Sequence, residues 1–268
     1  MSKEIFNRFE DKFLFDTSIY HQIREELLQY MESDSYNQKY GFYTISNLYY
    51  DTFDNHLIRT SLSKPRYKEK LRLRAYGTPK IDDTVYVEIK KKVCGLVNKR
   101  RTSMPLKDAY HFLQTKQKPL VNQKINRQVL NEITYMLNHY ELSPKLYLAY
   151  DREAFFGVNN KDLRITFDTN IRSRRYDLRL ESGGYGRQLL DQNQWLMEVK
   201  TPRRIPLWLS KLLAKYKTYS TSFSKYGTEY RLMLQEQRKW KGVNIPCQNS
   251  LRPYPAIQPQ QYPLAMQF

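Results

Sequence analysis

Cysteine is nearly absent from this chain of 268 residues. Cys94 and Cys247 are its two cysteines, and they lie far apart. A disulfide-stapled scaffold is thereby excluded, and free thiols in a reducing compartment are expected. The four histidines, His21, His56, His111 and His139, fall on predicted helices or turns without ligand spacing, so surface or packing roles are expected of them. No window of the sequence approaches a membrane-spanning run, and Met1-Ser2-Lys3-Glu4 carries no apolar h-region, so a soluble, cytoplasmic protein is expected. Acidic residues are also scarce. Against 45 Lys+Arg stand 27 Asp+Glu, a formal net charge of +18. Such a balance calls for a polyanionic partner, whether nucleic acid, anionic lipid or phosphate chains. The 23 tyrosines could stack on bases, but no RNA- or DNA-binding signature accompanies them, so no specific nucleic acid is expected.

What the chain has in place of these is alternation. From Arg66 to Arg74 every even position is a cation: Arg66, Lys68, Lys70, Arg72 and Arg74. Between them stand Tyr67, Glu69, Leu71 and Leu73. A strand turns successive side chains to opposite faces, so these five cations form one row with a spacing of about 6.5–7 Å. A lone row of this kind reads as a solvated outer strand, but here the pattern recurs. Strands are predicted over 5–14, 43–51, 66–76, 84–92, 96–104, 145–155, 163–172 and 194–200. Helices are predicted over 18–31, 105–116, 123–139, 206–218 and from Ser222 to about residue 239, with a short turn or helix near 53–61. Residues 1–241 read as one domain without internal repeats, and the Pro- and Gln-rich stretch 242–268 as a disordered tail.

Most of these strands set charged residues against an apolar face. An open sheet on one helical layer would give the same pattern. So many long antiparallel strands in one domain tend to close, however, and about eight make a small barrel. The expected fold is therefore α+β: a closed antiparallel barrel of about eight strands, its apolar outside covered by helices and its charged faces lining a tunnel.

Several segments together resemble a known family. They are Arg8-x-Glu10-x-Lys12, Ser46 with Tyr49-Tyr50-Asp51, Leu71-Arg72-Leu73-Arg74-x-Tyr76-Gly77, Val87-Glu88-x-Lys90, Tyr150-x-Arg152-x-Ala154, Arg164-Ile165-Thr166-x-Asp168-Thr169, Leu196-Met197-Glu198-Val199-Lys200 and Ser224-Lys225-Tyr226. In this order they resemble the VTC domain, the polyphosphate polymerase domain among the triphosphate tunnel metalloenzymes. The resemblance runs from residue 8 to about 230 and implies a tunnel-shaped barrel with a C-terminal helix near it. It also implies a divalent metal, Mn²⁺ or Mg²⁺, and transfer of the ATP γ-phosphate onto inorganic polyphosphate.

By motif match the resemblance assigns phosphate binding to Lys12, Arg72, Arg74, Lys90, Lys99, Tyr150, Arg152, Arg164, Ser224 and Lys225, and metal binding to Glu198. Arg8 and Lys70 are further phosphate contacts of the same rows, and Glu10 and Glu88 further carboxylates for the metal. Arg100 or Arg101 could take the register of Lys99. Relatives that hydrolyse triphosphates begin with Glu-x-Glu-x-Lys, and Arg8 replaces the first Glu here, which disfavours simple hydrolysis. No membrane region or inositol-polyphosphate sensor is attached, so translocation or sensing is expected to need a separate membrane protein. A tripolyphosphate or nucleoside triphosphate hydrolase and a non-catalytic polyphosphate-binding sensor are the alternative readings.

Overall fold

The computed structural model describes residues 9–94, 96–119, 125–202 and 204–240. In chain order these form β1 (Phe9–Asp16), α1 (Thr17–Leu27), β2 (Met31–Ser33), α2 (Ser35–Tyr40), β3 (Tyr43–Asp51), α3 (His56–Leu62), β4 (Tyr67–Tyr76), β5 (Thr84–Val93) and β6 (Leu96–Pro105). Then follow α4 (Leu106–Thr115), α5 (Arg127–His139), β7 (Ser143–Gly157), β8 (Arg164–Arg174), β9 (Arg187–Gln188), β10 (Gln194–Thr201), α6 (Leu207–Lys215) and α7 (Lys225–Trp240). Two compact units divide the chain, Met1–Leu232 and Met233–Phe268. The sheet lies in the first; of the second, residues 233–240 are described, as the continuation of α7. The tail expected over 242–268 lies outside the described residues. No helix among the described residues is long and apolar enough to cross a membrane.

The period-two pattern sorts the sheet into two faces. Leu71 and Leu73 of β4 and Val85, Val87 and Ile89 of β5 pack with Phe112 of α4 and Ile133 and Leu137 of α5. A second buried cluster joins Phe13 of β1, Ile165 and Phe167 of β8 and Met197 of β10 to Ile23 and Leu27 of α1 and Leu209 of α6. Each such side chain stabilises the fold by about 1.5–3 kcal/mol. The helix-covered face therefore holds the molecule together and leaves the opposite face free for charge. Side-chain caps start two of the covering helices, α1 and α5: Asp16 accepts from the Ile19 amide, and Asn126 from that of Val129.

The strand order is β1-β10-β8-β7-β3-β4-β5-β6, antiparallel throughout, with β2 added to β7 and β9 to β8. The path thus has the expected eight strands. The expected closure is not shown: no pairing joins β1 to β6 among the described residues. β6 presents Lys99, Arg100 and Arg101 in succession, and cations of this kind discourage strand addition at an edge. The sheet is nonetheless strongly curled, because Lys90 of β5 reaches Glu10 of β1 at 3.0 Å.

Candidate functional site: the ion-paired inner face

On β4 the even-numbered cations point to the inner face, away from α4 and α5; Lys68 donates to the Ser61 carbonyl of α3, and Lys70 lies 5.7 Å from the Tyr226 ring of α7. Antiparallel register sets Arg72 opposite Glu88 of β5 and opposite Tyr49 of β3, and Arg74 opposite Asn47. Glu88 is completely buried, and Arg72 Nε donates to its Oε2 at 2.8 Å. Arg74 Nε lies 3.7 Å from the same oxygen. Lys99 Nζ lies 2.6 Å from Oε1, close in distance but outside hydrogen-bond alignment. Burial opposes charge on Glu88, yet Arg74, Lys99 and Arg72 hold its pKa well below the usual carboxylate range. Arg72 also donates to the Tyr49 hydroxyl at 3.1 Å, and Arg74 to Asn47 Oδ1 at 3.0 Å. These guanidiniums are consequently fixed before any ligand arrives.

A second cluster centres on Glu198 of β10, 8% exposed. Lys200 Nζ donates to Oε2 at 2.8 Å, and Lys225 Nζ to Oε1 at 3.2 Å. Lys12 Nζ stands 3.5 Å from Oε1, and Arg152 Nη2 3.6 Å from Oε2. Beside it Asp168 of β8, wholly buried, accepts a fork from Arg152, with Nε at 2.6 Å and Nη2 at 2.7 Å, and a bond from Lys225 at 2.6 Å. Burial resists ionisation of Glu198, but Lys200, Lys225, Lys12 and Arg152 keep its pKa well below the usual range. Burial likewise works against the Lys225 ammonium, and Asp168 and Glu198 overcome it, raising the lysine's pKa. Lys225 reaches this point from the first turn of α7, where Ser224 Oγ accepts from the Gly227 amide at 3.2 Å.

Tyr150 of β7 joins the two clusters. Its hydroxyl accepts from Arg74 Nη2 at 3.4 Å, and its ring lies 4.5 Å from Lys225 Nζ and 5.0 Å from the Arg152 guanidinium. Burial disfavours the phenolate, but Arg152, Arg74 and Lys225 outweigh burial and lower the Tyr150 pKa.

Lys70 has no carboxylate within ion-pair distance among the described residues. Burial first, then Lys90, Lys12, Lys68 and Arg72, lower its pKa from 10.5 to about 7. In that window the unfolded chain holds a proton that the folded chain has released, so the Lys70 contribution makes the ligand-free protein more stable as pH rises from about 7. A bound polyanion reverses the bias and returns the proton. Tripolyphosphate binding near pH 7.5 is therefore expected to take up protons, measured by calorimetry in buffers of different ionisation enthalpy. Lys70→Gln should remove most of the uptake, and binding without proton uptake in the native protein would contradict the assignment.

The structure brings Lys12, Lys70, Arg72, Arg74, Lys90, Lys99, Tyr150, Arg152, Lys225 and the three predicted glutamates to this one face, with Ser224 at the start of α7. Arg164 sits at its margin, 3.7 Å from Asp34. Arg8 lies outside the described residues. Alternation turns Arg100 of β6 away from Lys99 and Arg101, which register sets opposite Lys90 and Glu88, and side-chain reach decides the rest. Lys99 pairs with Glu88, Arg100 turns to Glu132 of α5, and Arg101 stacks on Tyr86 at 4.8 Å.

The predicted carboxylates do not gather into one metal centre. Glu88 belongs to the Arg72 cluster, Glu10 to Lys90 and Glu198 to the Lys225 cluster, and no group of three or more His, Cys, Asp or Glu suited to a metal occurs among the described residues. Sequence reasoning placed Asp168 and Lys200 within the family motifs but gave them no role in the site. Both stand two or four residues from an assigned site residue, on the same strand face, and that spacing was the available signal. Of four buried side-chain atoms without a hydrogen bond among the described residues, three lie in this region: Glu88 Oε1, Arg164 Nε and Thr166 Oγ1. Thr166 pairs in register with Glu198. Of these, the Arg164 Nε–H and the Thr166 hydroxyl can donate to an anionic ligand, whereas Glu88 Oε1 already faces the Lys99 ammonium.

The architecture is a curled antiparallel sheet with paired cations along its inner face. The VTC domain family model matches residues 7–234, and the chain belongs to that family. No curated protein matches it. Among solved structures, HpAC1 from Hippeastrum, described with a dominant triphosphatase activity, is 16% identical, with 91% of this chain and 98% of that one covered and a TM-score of 0.47. The PH1819 protein of Pyrococcus horikoshii OT3 is 14% identical, with coverages of 84% and 98% and a TM-score of 0.41. The Mimivirus capping enzyme triphosphatase is 12% identical, with coverages of 79% and 89% and a TM-score of 0.33.

Proposed function

We propose that the chain is a metal-dependent polyphosphate polymerase that transfers the γ-phosphate of ATP onto a growing inorganic polyphosphate chain along the inner face. The observation that carries this reading is the convergence of Lys12, Arg152, Lys200 and Lys225 on the buried Glu198. One carboxylate, with Asp168 beside it, balances only part of that charge. The surplus attracts phosphate, and the carboxylates meanwhile keep the cations in place. Membership of the VTC domain family supports the same reading.

Phosphoryl transfer asks a protein mainly to align donor and acceptor and to neutralise charge on the equatorial oxygens. Arg72 is committed through Nε and Nη1 and Arg152 through Nε and Nη2, which leaves Nη2 of the first and Nη1 of the second for phosphate oxygens. Lys225 and Lys12 supply compact charges that can leave Glu198 for the γ-phosphate. A terminal oxygen of the acceptor chain attacks the γ-phosphorus as the bond to the bridging oxygen of ADP breaks, and ADP departs with that electron pair. For the divalent ion, Mn²⁺ or Mg²⁺, the described residues offer no protein-only cage. Glu198, with the unpaired Thr166 hydroxyl in register beside it, fits an ion held by one carboxylate, waters and substrate phosphates. When bound, such an ion neutralises charge shared by the β- and γ-phosphates.

The lack of a pairing between β1 and β6 among the described residues favours a second reading, hydrolysis of triphosphates, because a seam can admit water. Incubation with γ-labelled ATP and Mn²⁺ separates the two. A ladder of labelled chains that disappears in Arg72→Ala supports the polymerase. Labelled orthophosphate without chains contradicts it and establishes the hydrolase.

A further inference from the structure

Past Arg164 the character of the inner face changes. Arg164 pairs in register with Lys200, its guanidinium lies 4.9 Å over the Phe156 ring, and its buried Nε has no hydrogen-bond partner. Beyond it opens a cavity of about 450 Å³ between Glu32 and Ser33 of β2, the start of α2 and the ends of β3, β4, β7 and β8. Three tyrosines form its aromatic wall. Tyr36 and Tyr76 lie nearly parallel with ring centres 5.7 Å apart, and Tyr43 contacts them at 5.6 and 6.1 Å. Tyr36 is 51% and Tyr76 39% exposed, so ring surface remains open to a ligand. Asp34 completes the wall, accepting from the Tyr43 hydroxyl at 3.1 Å.

These features select the occupant. A polyphosphate chain would meet the Asp34 carboxylate and aromatic surface here, neither of which stabilises an anion. At the other end of β4 the register sets Lys68 opposite Lys92 and Lys70 opposite Lys90, a stretch that suits phosphate. The volume falls within the roughly 300–1,000 Å³ typical of small-molecule sites, which combine apolar walls with a few polar groups. A planar base with hydrogen-bond donors matches the rings and Asp34, and Arg164 stands where the attached phosphates would begin.

We infer that this cavity is the nucleoside subsite of the donor, receiving the base against Tyr36, Tyr43 and Tyr76 while the triphosphate runs past Arg164 toward Glu198. The inference rests on the reading of the inner face as a nucleoside triphosphate site and adds the direction in which the nucleotide lies. It implies that the growing chain occupies the lysine-rich end.

The test compares two ligands by calorimetry on the full chain: the β,γ-imido analogue of ATP, which carries a base, and inorganic tripolyphosphate, which does not. Tyr36→Ala and Tyr76→Ala are each expected to weaken the analogue about tenfold, the scale of one lost base–aromatic stack. Tripolyphosphate affinity should stay unchanged, which also shows that each variant is folded. Tyr76→Phe should bind the analogue as the native protein does. Equal losses for both ligands, or none for the analogue, would overturn the subsite while leaving the phosphate site standing. Failure of the native protein to bind tripolyphosphate would overturn the underlying reading and this one together.

Discussion

Glu198→Gln is expected to give a protein that melts well below the native one, recovers much of the loss on adding tripolyphosphate, and makes no measurable polyphosphate. The substitution keeps shape and removes one negative charge from a point where Lys12, Arg152, Lys200 and Lys225 converge. Breaking a buried ion pair by removing one partner costs about 3–5 kcal/mol, because the remaining charge stays buried. Here the stranded charges are cations, so a polyanion can replace the missing carboxylate. Ligand at 100 times its Kd restores about 2.7 kcal/mol. Thermal melts with and without the anion check this expectation. An unchanged melting temperature in the anion-free variant would show that Glu198 does not organise the cluster.

Arg152→Ala should be more damaging, and Arg152→Lys should repair only half of the damage. The Arg152 fork holds both oxygens of Asp168, a carboxylate with no solvent exposure, and its Nη2 also approaches Glu198. Alanine leaves Asp168 with Lys225 alone among these cations, at a cost of about 3–5 kcal/mol. Lysine restores charge but not the planar fork, since one ammonium cannot hold two oxygens of Asp168 and also meet a phosphate. The expected outcome in denaturant is a partial recovery of stability for the lysine variant. Its rate of chain synthesis should stay about 100-fold down, the scale of one lost electrostatic contact in phosphoryl transfer. A lysine variant of native activity would show that the fork is dispensable.

Much of this arrangement was legible in the sequence, because period-two alternation is a local signal. The cations of β4 and the apolar positions between them could be assigned to opposite faces without knowing any neighbour. Register was less accessible. Alternation separates Arg100, which turns outward to Glu132, from Lys99 and Arg101, but register sets Arg101 opposite Glu88, and only the three-dimensional course of the side chains brings Lys99 diagonally to that carboxylate. The meeting of Lys225 with Asp168 joins α7 to β8, and the VTC resemblance placed the lysine near the phosphates but said nothing of its carboxylate partner. Closure of the sheet depends on two edges remote in sequence, so alternation could suggest a barrel but not decide it. The six-residue α2 was missed because it is short and polar, although Asp34, which accepts from the Asn37 amide, marks its start. That omission also hid the aromatic cavity, because Tyr36 stands on α2 and completes its wall.

The central claim is that the cations of the inner face exchange carboxylate partners for phosphate oxygens. A crystal structure with inorganic tripolyphosphate tests it most directly. The account predicts phosphate oxygens within hydrogen-bond distance of Arg72, Arg152 and Lys225 on the inner face, with Lys12 or Lys200 turned from Glu198 toward the anion. An anion held elsewhere, with every inner ion pair intact, would contradict it.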